Sequence, residues 1–113
     1  IRDGESIWFA PPVPCGDRKP CIQANPGAAT AIPGLVFAGA MDGILRAYSA
    51  KGGKVLWEYD TVREFDTVNG IKARGGSLNG PGVTVVNGMV FVNSGYGMWG
   101  GSAGNVLLAF GLD

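Results

Sequence analysis

Short apolar runs separated by glycine-containing turns fill the middle of the chain. The runs stand at residues 35–39, 44–48 and 54–59, and the turns at residues 41–43 and 51–53 contain Asp-Gly and Gly-Gly. Glycine adopts the positive φ angles that tight hairpin turns need. The spacing therefore predicts three antiparallel strands in a meander.

The same pattern recurs along the chain at a period of about 50 residues. The matched residues are Trp8 with Trp57, Phe37 with Phe91, and Ala47 with Ala109. A period of this length with about four strands per unit is typical of propeller blades. We therefore predict an all-β fold of four-stranded antiparallel meanders, an incomplete propeller of about two blades, and keep a small β-sandwich as the alternative.

The repeat divides the chain into three parts. Residues 1–32 hold the end of one blade and a cysteine loop, residues 33–82 a whole blade with a long loop, and residues 83–113 most of the last blade. A closed propeller usually has at least about four blades. We expect the 113 residues to be a fragment or one subunit, with the remaining propeller blades as partners.

Composition agrees with this fold and narrows the function. Twenty Gly and seven Pro favour turns over helices. The formal net charge is zero and no His is present, so the chain lacks a basic strip for nucleic acid and the most frequent general base and metal ligand. No apolar run reaches the roughly 20 residues that a membrane-spanning helix needs.

Cys15 and Cys21 enclose a polar, turn-forming segment. We predict a disulfide between them, which persists in oxidising compartments and places the protein in the periplasm or outside the cell. Two free thiols are the alternative. The five-residue spacing does not match the ligand pairs of zinc sites.

Residues 33–61 resemble the blade motif of pyrroloquinoline-quinone (PQQ) dehydrogenases, Ala-x-Asp-x-x-x-Gly-x-x-x-Trp. Ala47, Gly53 and Trp57 stand at the matching places, and Ser49 replaces the Asp. In that family the Trp docks between adjacent blades. The resemblance implies this structural role, with a buried ring, for Trp57 and through the repeat for Trp8.

Residues 67–82, 93–97 and 104–110 are similar to the polyvinyl alcohol dehydrogenase branch of that family. The resemblance implies a quinoprotein that oxidises an alcohol substrate with PQQ and Ca²⁺ and passes electrons to cytochrome c. The Ca²⁺ ligands and a carboxylate base are expected in earlier blades, so no catalytic residue is assigned and the segment alone is expected to be inactive. A non-catalytic propeller that serves as a protein-binding scaffold is the alternative.

The glycine-rich residues 95–100 fit G-x-G-x-x-G. A dinucleotide site is not expected, because a strand rather than a helix follows and no acidic ribose partner stands about 20 residues on. The related enzymes have a Gly-Trp-Gly-Gly-like loop near the cofactor. Gly97 and Trp99 are therefore candidates for cofactor contact, with covering the core as the alternative for Trp99.

Residues 62–82 form a long loop, a frequent place for binding residues. PQQ carries three carboxylates, so Lys72 or Arg74 can pair with one of them, and Asn69 or Asn79 can bond to a quinone oxygen. Solvent exposure is the alternative for each charged residue. Glu64 and Asp66 are possible bases only if burial raises their pKa.

Overall fold

Three antiparallel sheets follow one another along the chain. The computed structural model describes residues 3–19 and 21–112. The strands are β1 (Thr30–Ile32), β2 (Leu35–Gly39), β3 (Ile44–Ser49), β4 (Val55–Asp60), β5 (Glu64–Asp66), β6 (Lys72–Arg74), β7 (Thr84–Val86), β8 (Met89–Ser94) and β9 (Val106–Phe110). One short 3-10 turn, Met98–Gly100, lies between β8 and β9. The described residues contain no α-helix, and the all-β fold predicted from the sequence is confirmed.

The first sheet, hereafter the complete blade, has the strand order β1-β2-β3-β4. The three predicted apolar runs form β2, β3 and β4. Gly43 and Gly53 have φ angles of +81° and +71° in the two turns, as tight turns require. The predicted blade begins at Pro33, but the structure adds the strand β1 before it. The chain turns at Gly34, which has a positive φ angle, and β1 pairs with β2.

The second blade repeats the first in its strand pairing. In β7-β8-β9, hereafter the partial blade, Phe91 is paired with Ala109, as Phe37 is paired with Ala47 in the complete blade. The inner strands match as well, since Thr84 pairs with Phe91 and Thr30 with Phe37. The chain is therefore a partial propeller, and its sequence repeat corresponds to a repeat of structure.

Residues 61–82, hereafter the crossing, connect the two blades. The crossing contains the two-stranded ribbon β5-β6, which the sequence pattern did not predict. Leu78 of the crossing joins Phe37, Leu45 and Val92 in the core between the blades. Burying each such side chain contributes about 1.5–3 kcal/mol, so the core holds the two sheets and the crossing together.

The N-terminal residues lie along the complete blade without pairing to it as a strand. Residues 4–8, which match residues 53–57 in sequence, form no strand. Cys15 and Cys21 form the predicted disulfide. The assignment of residues 1–32 to the end of another blade stays a prediction, and residues 1, 2, 20 and 113 lie outside the described residues.

Two aromatic contacts of the same kind link consecutive parts of the chain. The Trp8 ring stacks on Tyr48 of β3, with centroids 6.5 Å apart, and the Trp57 ring meets Phe110 of β9 edge-on at 5.3 Å. Tyr48 and Phe110 follow the matched residues Ala47 and Ala109. Each Trp thus contacts the third strand of the following blade, an arrangement that stabilises adjacent blades against each other.

Neither Trp ring is fully buried, contrary to the expectation from the resemblance. Trp57 is 38% exposed and Trp8 is of intermediate burial. Trp57 lies on the edge strand β4, where aromatic neighbours meet only part of its ring. The indole nitrogen of Trp8 donates a hydrogen bond of 2.8 Å to the carbonyl of Ala50.

The part of the chain that the structure describes has no helix long and apolar enough to cross a membrane.

We predict that Leu45→Ala lowers the free energy of unfolding by about 2–5 kcal/mol, because it leaves a cavity in a close-packed core. Leu45 is 0% exposed, whereas Leu107, in the partial blade, is 62% exposed. Leu107→Ala is the matched control and should change stability by less than about 0.5 kcal/mol. Denaturant titration followed by tryptophan fluorescence measures both, and equal losses in the two variants would contradict the assignment of the core.

Candidate functional site

Three buried hydroxyl groups hold the crossing against both blades. The Thr61 hydroxyl donates to the carbonyl of Gly43 at 2.7 Å and lies 2.7 Å from the Ser94 hydroxyl. Ser94 is also hydrogen-bonded to the amide and carbonyl of Gly76, at 2.9 and 3.0 Å. A buried carbonyl without a partner is costly, so these bonds fix the path of residues 75–77.

Ser77 connects the crossing to both hairpin turns. Its hydroxyl donates to the carbonyl of Met41 at 2.7 Å and accepts from the amide of Ser102 at 2.7 Å. Its carbonyl accepts from the amides of Gly95 and Tyr96, both at 3.1 Å. The β2-β3 turn, the crossing and the β8-β9 loop are thereby joined at one end of the two blades.

This close approach explains the Gly-Gly pair of the crossing. A Cβ at Gly75 would lie 1.9 Å from the carbonyl oxygen of Thr61, and a Cβ at Gly76 would lie 2.2 Å from that of Ser102. Backbone atoms cannot shift far enough to accept either one. Only glycine fits at these two positions. The backbone of the next residues, Ser77 and Leu78, is held by hydrogen bonds to Ser102 and Ala40.

Asn79 ends this segment in a small pocket between the blades. Asn79 is 7% exposed, and its side-chain nitrogen Nδ2 has no hydrogen-bond partner among the described residues. The enclosed part of the Asn79 pocket measures only about 20 Å³, which is room for about one water-sized group. It is lined by residues including Gly27, Gly80, Pro81, Asn93 and Tyr96. A buried amide without a partner is unusual in proteins, and an acceptor oxygen that enters the pocket would satisfy it.

The glycines of the Asn79 pocket leave room for such a group. Gly80 and Gly82 have φ angles of +126° and +87°, in the region that glycine adopts without strain. A Cβ at Gly80 would lie 3.3 Å from the Tyr96 ring. The pocket is therefore lined by glycine backbone, aliphatic side chains and an aromatic ring, with the buried Nδ2 of Asn79 as a donor that is unpaired within the described part of the chain.

The other polar candidates from the sequence lie outside the Asn79 pocket. Asn69 is exposed in the turn of the β5-β6 ribbon, where its side-chain oxygen accepts from the amide of Ile71 at 3.3 Å. Lys72 is exposed and pairs with Asp66. Arg74 is exposed, and its backbone amide and carbonyl bond to Asn105 at 3.0 and 2.8 Å.

Burial does not favour either acidic candidate of the loop as a base. Glu64 and Asp66 are both exposed. The described residues contain no group of three or more potential metal-binding side chains.

Gly97 and Trp99 belong to the loop between β8 and β9. Trp99 has φ +52° and ψ +40° and is 73% exposed, so its ring does not cover the core. Gly97 is exposed beside Tyr96. Neither residue lines the Asn79 pocket, but their neighbour Tyr96 does.

Charged groups hold the N-terminal loop on the complete blade. The Arg18 guanidinium donates to both carboxylate oxygens of Asp60, at 2.6 and 2.5 Å. This hydrogen-bonded pair holds the pKa of Asp60 below its ordinary value of 3.8. A second pair is buried, since the Arg46 guanidinium lies 2.9 Å from the Asp42 carboxylate.

Sequence reasoning did not identify the three hydroxyls of Thr61, Ser77 and Ser94. All three are less than 5% exposed, yet Ser and Thr are frequent in exposed loops, so their identity alone carries no signal. The Gly75-Gly76 pair beside Ser77 was the available sign of a close backbone approach.

Two relatives match the chain along its whole length. The chain is 46% identical over 125 residues to a polyvinylalcohol dehydrogenase of a Pseudomonas species. It is 39% identical over 127 residues to the polyvinylalcohol dehydrogenase of Sphingopyxis sp. strain 113P3. Both alignments cover 100% of the chain but only 20% and 19% of the relatives, so the chain spans about a fifth of their length.

A third relative matches in part. Over 69 residues, 58% of the chain and 10% of the relative, the chain is 38% identical to a 1-butanol dehydrogenase (cytochrome c) of Thauera butanivorans. No protein-family profile matches the chain, and no solved structure matches it significantly.

We predict that Thr61→Val destabilises the fold by about 0.5–1.5 kcal/mol, because it removes the buried hydroxyl that bonds to the Gly43 carbonyl and to Ser94. Valine has nearly the same shape, so packing changes little. Thr84 is exposed, and Thr84→Val is the control. Thermal denaturation compares the two; a Thr61→Val variant as stable as the control would show that the hydroxyl does not hold the crossing.

We also predict that the stability from the Arg18–Asp60 pair is lost in acid. Because the folded pKa of Asp60 lies below 3.8, the contribution is complete well above that pH and disappears as the pH falls through the folded pKa. Denaturant titrations of the wild type and Asp60→Asn should differ at pH 7 and converge in strong acid. A difference that is independent of pH would contradict the ion pair.

Proposed function

We infer the function of the parent protein from one premise: the chain belongs to the polyvinyl alcohol dehydrogenase family, which it matches along its whole length. We propose that the chain supplies adjoining propeller blades to a longer quinoprotein alcohol dehydrogenase. We keep the predicted division of the chain into residues 1–32, 33–82 and 83–113, except that β1 (Thr30–Ile32) pairs with β2 and so belongs to the complete blade. The alcohol substrate of that parent is a polyvinyl alcohol or a related alcohol, in line with the names of the relatives.

The observation that carries the proposal is the free amide of Asn79. PQQ, when bound, accepts two electrons from an alcohol, and it presents quinone and carboxylate oxygens to the protein. The buried Nδ2 of Asn79 lacks a partner and needs an acceptor of this kind. Gly80 and the Tyr96 ring border the same space, which has room for one oxygen at the edge of such a group while the rest of the group lies outside the pocket.

Asn79 has two tasks in this proposal. Its amide donates a hydrogen bond to one oxygen at the edge of the cofactor, and it holds that edge in a fixed orientation because its own backbone is fixed by Ser77 and Leu78. The amide of Leu78 donates to the carbonyl of Ala40 at 3.0 Å. A donor that is already ordered loses little entropy on binding.

Five further candidates for cofactor contact remain from the sequence. Arg74 and Lys72 are candidates for pairing with cofactor carboxylates, and Lys72 would exchange its present partner Asp66. Gly97 and the exposed Trp99 are candidates for the cofactor or substrate side of the β8-β9 loop. Asn69 is the weakest candidate for a quinone contact, because its oxygen is already bonded within the ribbon turn.

The remaining chemistry is assigned to other parts of the parent. We propose that a carboxylate base and the ligands of Ca²⁺ come from other blades, and that the 113-residue segment alone does not oxidise alcohols. Cytochrome c is proposed as the electron acceptor, supported by the name of the butanol-oxidising relative. The disulfide between Cys15 and Cys21 supports a periplasmic or secreted location.

We predict that Asn79→Ala weakens PQQ binding to the full-length parent by about tenfold, the equivalent of one buried hydrogen bond. Lys51→Ala, in the exposed β3-β4 turn, is the control and should bind PQQ as the wild type does. Equilibrium titration of the apoprotein, followed by fluorescence quenching, measures both. Equal affinities of the two variants would remove the Asn79 pocket from the proposal, and a parent that binds no PQQ would favour a non-catalytic scaffold.

A further inference from the structure

Arg18 joins the disulfide loop to two corners of the complete blade. The loop of residues 15–21 is closed by its disulfide, and the Arg18 amide donates back to the carbonyl of Cys15 at 3.1 Å. The Arg18 side chain reaches outward, where it bonds twice to Asp60 and donates from Nε to the carbonyl of Asp42 at 3.0 Å. One side chain thus holds the end of β4 and the β2-β3 turn together.

Both corners are themselves ordered by the aspartates. An Asp60 carboxylate oxygen accepts from the amide of Val62 at 2.9 Å, at the start of the crossing. An Asp42 oxygen accepts from the amide of Ile44 at 2.9 Å and so shapes the β2-β3 turn. Arg18 therefore acts on backbone that is already bonded locally.

The two corners lead directly to the segment before Asn79. Thr61, next to Asp60, bonds through its hydroxyl to the carbonyl of Gly76 at 3.2 Å. In the β2-β3 turn, the Met41 carbonyl accepts from the Ser77 hydroxyl at 2.7 Å. Every link from Arg18 to the Asn79 segment is a covalent neighbour or a hydrogen bond.

The residues after the disulfide supply a second link. The amide of Met41 donates to the carbonyl of Ala24 at 2.8 Å, three residues beyond Cys21 in the sequence. The β2-β3 turn is therefore held from the N-terminal side by Arg18 and by Ala24. The disulfide shortens the free chain between these two contacts, which lowers the entropy lost when both form.

We propose that the Cys15–Cys21 loop positions the Asn79 pocket and that Arg18 is its positioning residue. The side-chain hydrogen bonds of Arg18 go to Asp42 and Asp60, and neither residue lines the Asn79 pocket. The loop acts by fixing Thr61 and the β2-β3 turn, which in turn fix the segment that carries the Asn79 amide. This inference rests on the proposed function only for the identity of the ligand, PQQ.

The test compares Arg18→Ala, Arg18→Lys and the control Lys19→Ala in the full-length parent. Lys19 is the exposed neighbour of Arg18 and makes no side-chain hydrogen bond or ion pair among the described contacts. The first measurement is hydrogen exchange of the amides of residues 76–78, without any cofactor. Arg18→Ala should raise their exchange about tenfold, Lys19→Ala should leave it unchanged, and Arg18→Lys should fall between, because lysine keeps the charge but lacks the two-pronged geometry.

The second measurement is the PQQ dissociation constant of the same variants. We expect Arg18→Ala to raise it about fivefold at a temperature where the protein remains folded, and Arg18→Lys to restore part of the affinity. The double variant Cys15→Ser with Cys21→Ser should change both readouts in the same direction as Arg18→Ala. A merely structural role would lower the melting temperature of Arg18→Ala without changing affinity or exchange of residues 76–78.

The outcomes separate this inference from the proposed function. Unchanged exchange at residues 76–78 in Arg18→Ala overturns the positioning role whatever the ligand is. Raised exchange with unchanged PQQ affinity in Arg18→Ala, in a parent where Asn79→Ala does weaken binding, also overturns it. If Asn79→Ala has no effect on PQQ, the ligand assignment fails, while raised exchange in Arg18→Ala still supports positioning of the segment.

Discussion

The structure depends on how the backbone of the crossing is satisfied where it passes between two sheets. Thr61 and Ser77 are 0% exposed and Ser94 is 4% exposed, so no water is available to replace their hydrogen bonds. Each hydroxyl donates to a carbonyl in a part of the chain other than its own: Thr61 and Ser77 of the crossing bond to the β2-β3 turn, and Ser94 of β8 bonds to the crossing. A buried polar group that lost its hydrogen-bond partner here would lower the free energy of unfolding by about 1–3 kcal/mol. The place of Leu78 in the core and of Asn79 in its pocket follows from this network.

The fold was predictable where strong local signals were present. β2, β3 and β4 are apolar runs divided by glycines that adopt positive φ, and the matching of Phe91 with Phe37 reproduced the strand register. β1 and the β5-β6 ribbon were missed. Each has strands of only three residues, and their pairing depends on where neighbouring strands lie rather than on a period of their own.

The candidate site was less predictable, because burial of a loop residue is decided by distant parts of the chain. Asn69 and Asn79 look alike in the sequence, yet only Asn79 is buried. Its pocket is completed by Gly27 from the N-terminal part and by Tyr96 from the partial blade. The sequence around Asn79 gives no sign of these neighbours, which lie far from it in the chain. The long loop contains one buried asparagine, and distinguishing it from the exposed Asn69 needed the structure.

The width of the Asn79 pocket is set by contacts on both sides of the space between the blades. On the outer side, Trp57 meets Phe110 edge-on at 5.3 Å. On the inner side, β1 contacts β7, and the Thr30 hydroxyl donates to the carbonyl of Val83. Two sheets held at both edges cannot open or close about either one. Closely packed interiors deform little, so the free amide of Asn79 faces a space of fixed size that admits one acceptor oxygen and excludes larger groups.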